Sequence, residues 1–251
     1  MKSKVFKSPL RYPGGKTRMI KHLAPLFPKN IKEYREPFVG GGSVFFYMYS
    51  NGLAKKFWIN DLNSDLIDFY KVLKDPYVRD AMHNVLTFLK MRNDLTEIKH
   101  FFKTDKTPAG FFVRNRCSFS GTTDCGGFSK LAAQHRFTFR AINRLSTLFD
   151  PLYDAKITCN DYMFSILESG QEVFIFIDPP YDGITNLYKE GRHGFDHIRL
   201  AETLKKTKHR FLLTYNKTEQ IENLYSWAKI MEFPVTYSTG RKTVELAIMN
   251  Y

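Results

Sequence analysis

Val173-Phe174-Ile175-Phe176-Ile177-Asp178-Pro179-Pro180-Tyr181 decides the fold. Its first five residues are apolar without interruption, β-branched alternating with aromatic, and bounded by Asp178-Pro179-Pro180. That composition suits a short strand buried on both faces, as in a parallel sheet covered by helices. The Asp-Pro-Pro-Tyr that follows cannot continue a ladder, because two successive prolines donate no N–H. It stiffens the turn at the strand's C-terminal end and holds the Asp178 carboxylate, the Pro179 carbonyl and the Tyr181 ring outward. Two fixed acceptors beside a ring suit a planar ligand that carries an exocyclic amine. A bare tetrapeptide of this kind is also an ordinary proline-rich turn, so the flanking sequence must choose.

Upstream, residues 34–39 read as a strand entering Gly40-Gly41-Gly42, and residues 43–50 as the helix that follows. Residues 56–59 form a second strand ending at Asn60-Asp61, and 65–73 carry Leu66, Phe69, Tyr70 and Leu73 at helical spacing. Downstream, helices at 195–206 and 219–227 alternate with strands at 210–215 and 244–249. The alternation predicts an α/β protein with a doubly wound, Rossmann-like sheet. Glycines at a strand-to-helix turn let backbone approach a ligand closely. Asp61, 19 residues after Gly42, stands where an acidic side chain reaches the two hydroxyls of an adenosyl ribose. Turn and acid together point to a nucleoside cofactor, and their order relative to Asp178 is the one a doubly wound sheet requires.

Between residues 75 and 150 the rhythm breaks. A helical stretch, 78–91, leads into a Gly-rich, aromatic and basic region that does not read as a βα unit. From 111 to 144 it holds Arg114, Arg116, Lys130, Arg136, Arg140 and Arg144 against one acid, Asp124, with Phe119, Phe128, Phe137 and Phe139 interleaved. Such a segment is either a solvated basic face or a surface that tracks a nucleic-acid backbone. Residues 136–140 fit a helix or an alternating strand. The expected organisation is therefore one domain from 1–74 and 151–251, interrupted by a mainly helical sub-domain at 75–150.

Composition agrees with a folded chain and a polyanionic partner. The 251 residues are 43% hydrophobic and carry a net charge of +13, and lysines and arginines that neutralise phosphates gain affinity by releasing counterions. No apolar run is long enough for a membrane span, and residues 1–7 lack a secretory signal, so a cytoplasmic protein is expected. Cys117, Cys125 and Cys159 contain no C-x-x-C pair and read as reduced thiols. His193 and His197, four apart, are separated by Gly194, and no metal site is expected.

With these motifs in place the sequence resembles the Dam-like adenine-specific DNA methyltransferases, which use S-adenosylmethionine. Arg11-Tyr12-Pro13-Gly14-Gly15-Lys16 is similar to the family's N-terminal motif, residues 36–46 to its glycine motif, and Asn60-Asp61-Leu62-Asn63 to its ribose motif. Residues 178–181 resemble its catalytic tetrapeptide, and Cys159-Asn160-Asp161-Tyr162 the segment that holds the cofactor's adenine. Leu212-Leu213-Thr214-Tyr215-Asn216 and Val244-Glu245-Leu246 also fall in family positions. The resemblance implies N6 methylation of an adenine flipped out of double-stranded DNA, with the domain of 1–74 and 151–251 catalytic and the sub-domain of 75–150 DNA-recognising. Asp178, Pro179 and Tyr181 would be catalytic. Tyr12, Lys16, Phe38, Gly40, Gly42 and Ser43 would hold the cofactor with Asp61, Asp161, Tyr162 and Asp178. Arg114, Arg116, Lys130, Arg136 and Arg140 would bind DNA. It further implies S-adenosylhomocysteine as product, a monomer, and a cognate restriction endonuclease as a candidate partner. No cysteine stands beside the tetrapeptide, in keeping with direct transfer without a covalent intermediate.

Other readings compete. Gly14-Gly15-Lys16-Thr17 evokes a phosphate loop, but the first glycine of that motif would have to stand where Leu10 is. A dinucleotide oxidoreductase would use the glycine turn and Asp61 but leaves residues 178–181 and the charge unexplained. Methylation of cytosine N4 or of an RNA amine would use similar acceptors. A catalytically silent DNA-binding module predicts a broken cofactor or catalytic motif.

Overall fold

The computed structural model describes residues 4–12, 14–123, 126–182, 194–236 and 242–251; Pro13, Asp124, Cys125 and His193 lie outside them. Seven strands form one sheet: β1 Glu33–Glu36, β2 Lys56–Asn60, β3 Ala155–Thr158, β4 Val173–Ile177, β5 Arg210–Asn216, β6 Lys229–Thr236 and β7 Lys242–Met249. Their order is β3-β2-β1-β4-β5-β7-β6. The first five are parallel, β7 runs antiparallel to them, and β6 closes the sheet by pairing antiparallel with β7. Strand order reverses between β1 and β4, which pair with Tyr34 opposite Phe174, so the loops after these two strands diverge and open a crevice at their C-terminal ends.

Twelve α-helices occur among the described residues: α1 Ile20–Leu23, α2 Ser43–Ser50, α3 Ser64–Lys74, α4 Pro76–Arg92, α5 Leu95–Thr104, α6 Pro108–Cys117, α7 Lys130–Arg136, α8 Phe139–Asn143, α9 Phe149–Tyr153, α10 Tyr162–Leu167, α11 His197–Lys206 and α12 Glu219–Leu224. Local chemistry starts them. The Asn63 side chain accepts the Leu66 N–H at the head of α3, and Asp75 accepts from Tyr77 and Val78 ahead of Pro76 in α4.

The deciding strand is buried along its whole length. Phe174 and Phe176 face one apolar cluster; Val173, Ile175 and Ile177 face the other, with Leu200 and Leu204 of α11 and Ile221 of α12. The first cluster takes in α2, α3 and the inserted helices together. Phe69 of α3 lies 5.5 Å from Phe111 and 5.9 Å from Phe112, ring centroid to centroid, so the insertion shares its core with one face of the sheet.

Strands β3 and β6 and helix α10 are among the elements that escaped the pattern. Strand β3 and helix α10 are too short to display a period. Strand β6 contains Pro234, which argues against a strand except at an edge, where the missing N–H faces away from the ladder; β6 is that edge. Residues 136–140 are neither one helix nor one strand. Helix α7 ends at Arg136, Phe137 turns into the core, and Thr138 caps α8 by accepting the Ala141 N–H.

Candidate active site

The turn after β1 is held from three sides. Gly40 and Gly42 take positive φ of 45° and 65°, and a Cβ on Gly40 would lie 2.9 Å from the Tyr12 ring, so neither conformation nor space admits a side chain there. The Gly40 N–H donates to Asp61 Oδ2 at 2.9 Å, and the Asn63 N–H donates to Asp61 Oδ1 at 3.1 Å. Tyr70 of α3 donates its hydroxyl to the Gly40 carbonyl at 2.8 Å. Asp61 therefore bridges the turns after β1 and β2, and Ser43 opens α2 directly behind Gly42. Asn60, buried, locks three strand ends in register. Its amide donates to the Pro37 and Asn160 carbonyls, and its oxygen accepts from the Thr158 hydroxyl and the Asn160 N–H. A polar residue closing a buried strand was the signal for Asn60.

Across the crevice, β4 delivers Asp178. Lys16 is 3% exposed, and its Nζ stands 2.6 Å from Asp178 Oδ1 and 4.9 Å from the centroid of the Tyr181 ring. Thr214 of β5 donates its hydroxyl to the same Oδ1 at 2.8 Å. Among the described residues no hydrogen-bond partner meets Oδ2. Behind the glycine turn, Glu36 is buried and accepts the Tyr34 hydroxyl at 2.6 Å. Burial pushes its carboxyl up to about 8, helped by the Asp178 and Asp61 carboxylates and opposed by the bonds from Tyr34 and the Phe45 N–H.

The third wall is aromatic. Phe38, Tyr162 and Phe195 lie with ring centroids 5.2–5.9 Å apart. Asp161 caps α10 by accepting the Met163 N–H and pairs with Arg199 at 2.8 Å, while Arg199 also lies over the Tyr162 ring. Burial pushes the Tyr162 hydroxyl up to about 12. Tyr12, Lys16, Phe38, the glycines, Asp61, Asp161, Tyr162 and Asp178 thus lie around the C-terminal ends of β1, β2, β3 and β4.

The arginines of the insertion are divided by the fold. Arg114 of α6 donates to the Asp105 carbonyl and stands 3.8 Å from Asp65. Arg116, 7% exposed, donates to the Pro9 carbonyl and covers the Phe112 ring. Burial, with Arg144, Arg11 and Arg136 nearby, pulls the Arg116 guanidinium down to about 10. Lys130, Arg136 and Arg140 are exposed. The interleaved rings divide too: Phe137 is buried and Phe128 packs on Phe102, whereas Phe119 and Phe139 are exposed.

Residues 12–239 match the D12 class N6 adenine-specific DNA methyltransferase family. The chain belongs to this family. It is 29% identical to the type II methyltransferase M.MjaIII of Methanocaldococcus jannaschii over 234 residues, covering 80% of each chain. Identity to the type II methyltransferase M.CviBI of Paramecium bursaria Chlorella virus NC1A is 26%, over 96% of this chain and 98% of the relative. The DNA adenine methylase of Vibrio cholerae is also 26% identical, over 88% and 85%. The protein is a DNA adenine N6-methyltransferase that takes its methyl group from S-adenosylmethionine and acts on double-stranded DNA. The crevice suits that donor: a glycine turn whose conformation admits no side chain, an acid tying it to the next strand, and an aromatic wall at the topological switch point. No helix among the described residues is long and apolar enough to cross a membrane.

Proposed function

We propose that Asp178 is the acceptor on which adenine N6 methylation turns. The observation that carries this is the arrangement at its carboxylate: Lys16 and Thr214 both hold Oδ1, which fixes the group and directs Oδ2 toward the incoming amine. Oδ2 and the Pro179 carbonyl accept hydrogen bonds from the two N6 hydrogens, favouring the pyramidal nitrogen whose lone pair is exposed for attack, and the proton that N6 sheds once methylated leaves through Oδ2 to solvent. Tyr181 stacks on the flipped base, whose extraction costs on the order of a few kcal/mol. The sulfonium donor supplies an electrophilic methyl with a good leaving group, so the chain's task is alignment. Asp61 receives the ribose hydroxyls. An ionised carboxylate accepts at up to about four positions, and serving two backbone donors is compatible with this role. Phe38, Asp161 and Tyr162 bracket the adenine of the donor, and Tyr12, Lys16, Gly40, Gly42 and Ser43 complete its site.

DNA is engaged by the insertion, residues 75–150, acting on the catalytic domain of 1–74 and 151–251. Exposed Lys130, Arg136 and Arg140 meet phosphates or base edges, while Arg114 and Arg116 act from within the fold. The enzyme works as a cytoplasmic monomer without a metal, releases S-adenosylhomocysteine, and has a restriction endonuclease as a candidate companion.

The test uses plasmid DNA and methyl-labelled S-adenosylmethionine. N6-methyladenine is expected by mass spectrometry, and mapping the modified positions gives the target sequence. Asp178→Ala is expected to lower transfer by about a thousandfold or more while leaving cofactor and DNA binding largely intact, because its bonds form at the reacting amine. Substantial residual turnover would remove Asp178 from this role.

A further inference from the structure

The structure shows how Tyr181, which follows two prolines and lies outside any strand, is held. Its hydroxyl donates to Glu245 Oε2 at 2.7 Å. Glu245 is fully buried in β7 between Val244 and Leu246 and pairs across the sheet with Asn216. A buried carboxyl is costly to folding, and packing alone would favour an apolar residue there. From the other side the Tyr215 ring lies 5.8 Å from that of Tyr181, and the Tyr215 hydroxyl meets His197 Nδ1 at 2.6 Å. On its other side His197 Nε2 faces Asp182 Oδ1 at 4.0 Å. Asp182 is fixed in turn: its carbonyl accepts from the Asn216 amide and its Oδ2 from the Thr218 hydroxyl, both at 3.1 Å.

We propose that Glu245 and His197 are positioning residues that fix the plane of the Tyr181 ring for the flipped adenine. Glu245 anchors the hydroxyl end; His197 supports the ring through Tyr215 and the backbone through Asp182. The proposal rests on the assignment of Tyr181 to the base, and the experiment separates the two.

The holoenzyme is assayed on a duplex with 2-aminopurine at the mapped target base, recording flipping signal, kcat, KM for cofactor and unfolding midpoint. Tyr181→Ala tests the assignment itself, and an unaltered signal there would overturn the stacking role. Tyr181→Phe keeps the ring and removes only the hydroxyl. It and Glu245→Met are each expected to lower kcat by about ten- to a hundredfold with cofactor KM unchanged, as a ring misplaced by an ångström would. The double variant should be no worse than the poorer single, since both break one bond. Glu245→Gln, which keeps an acceptor, should recover most of the rate. His197→Leu should lower kcat and signal, and His197→Asn, with an oxygen near the place of Nδ1, should restore them. Additive losses in the double variant, or normal kcat in Tyr181→Phe, would overturn the role of Glu245; normal kcat in His197→Leu would overturn that of His197. If Glu245→Met does not fold, Tyr181→Phe breaks the same bond and decides.

Discussion

The crevice at the strand ends and the inserted helices use charge in opposite ways. At the crevice, charged groups are few and constrained by strand register: Asp61 bridges two turns, and Asp178 is gripped by Lys16 and Thr214. In the insertion, charge is plentiful and its roles diverge. Arg116 is enclosed with bonds to backbone, whereas Arg136 and Arg140, on neighbouring helices, are exposed. In a sheet the backbone dictates where each strand ends, so side chains there converge. On short helices joined by turns, one residue's shift separates core from surface. A count of arginines therefore measures a segment's charge without giving its function.

After Asp178→Ala, the largest expected effect is that of Asp61→Ala. It removes the proposed ribose acceptor together with the tie to Gly40 and Asn63, and charged hydrogen bonds are worth about 1.5–3 kcal/mol each. S-adenosylmethionine affinity by calorimetry should fall by about a hundredfold. Unchanged affinity would reduce Asp61 to a structural brace and make the two regions more alike.

Arg116→Ala probes the other side of the contrast. Losing the bond to the Pro9 carbonyl and the cover over Phe112 should cost about 1–3 kcal/mol in chemical denaturation. The N-terminal segment that leads to Lys16 loses one tie to α6 but keeps those of Asn115, whose side chain bonds the Arg11 N–H and carbonyl. A variant with wild-type stability would place Arg116 with the surface arginines.

Much of this division was invisible in sequence, and the reason is physical. The strand at 173–177, the glycine turn, Asp61 and the helix at 43–50 were legible because a buried parallel sheet imposes apolar runs and turn chemistry at fixed places. Asn60, Thr214 and Glu245 are each one polar residue at or within an apolar strand, and what they contact depends on strands far away in the chain. In the insertion, Phe137 and Phe139 have the same local composition around them, yet one is buried and one exposed. The Pro234 edge strand was hidden because a proline argues against a strand until its place in the sheet is known.

Glu36 adds a pH dependence to the crevice. Its carboxyl titrates near 8 in the native state and near 4.5 when unfolded, so between these values the native state binds the extra proton. Its contribution is fully present below about pH 4.5 and is lost as pH rises through about 8, by up to about 1.4 kcal/mol per unit. Glu36→Gln keeps an acceptor for Tyr34 and should erase that slope. Denaturation curves from pH 5 to 9 that are parallel for both proteins would contradict the buried-acid reading.

The smallest effects are expected at Arg136 and Arg140, and they decide whether the insertion's exposed charge is functional. Both are exposed, so alanine at either should leave stability within about 0.5 kcal/mol. If each neutralises one phosphate, each substitution should lower the log–log salt slope of DNA binding by roughly one unit and weaken all sequences alike. If one reads a base edge, its loss should instead relax methylation at a single position of the mapped target, with the slope nearly unchanged. The exposed Phe139 ring beside Arg140 supports a stacking contribution, so Phe139→Ala should weaken binding without altering the slope. Affinity, slope and target preference all unchanged in Arg136→Ala and Arg140→Ala would make these residues a solvated face and move DNA recognition to another part of the chain.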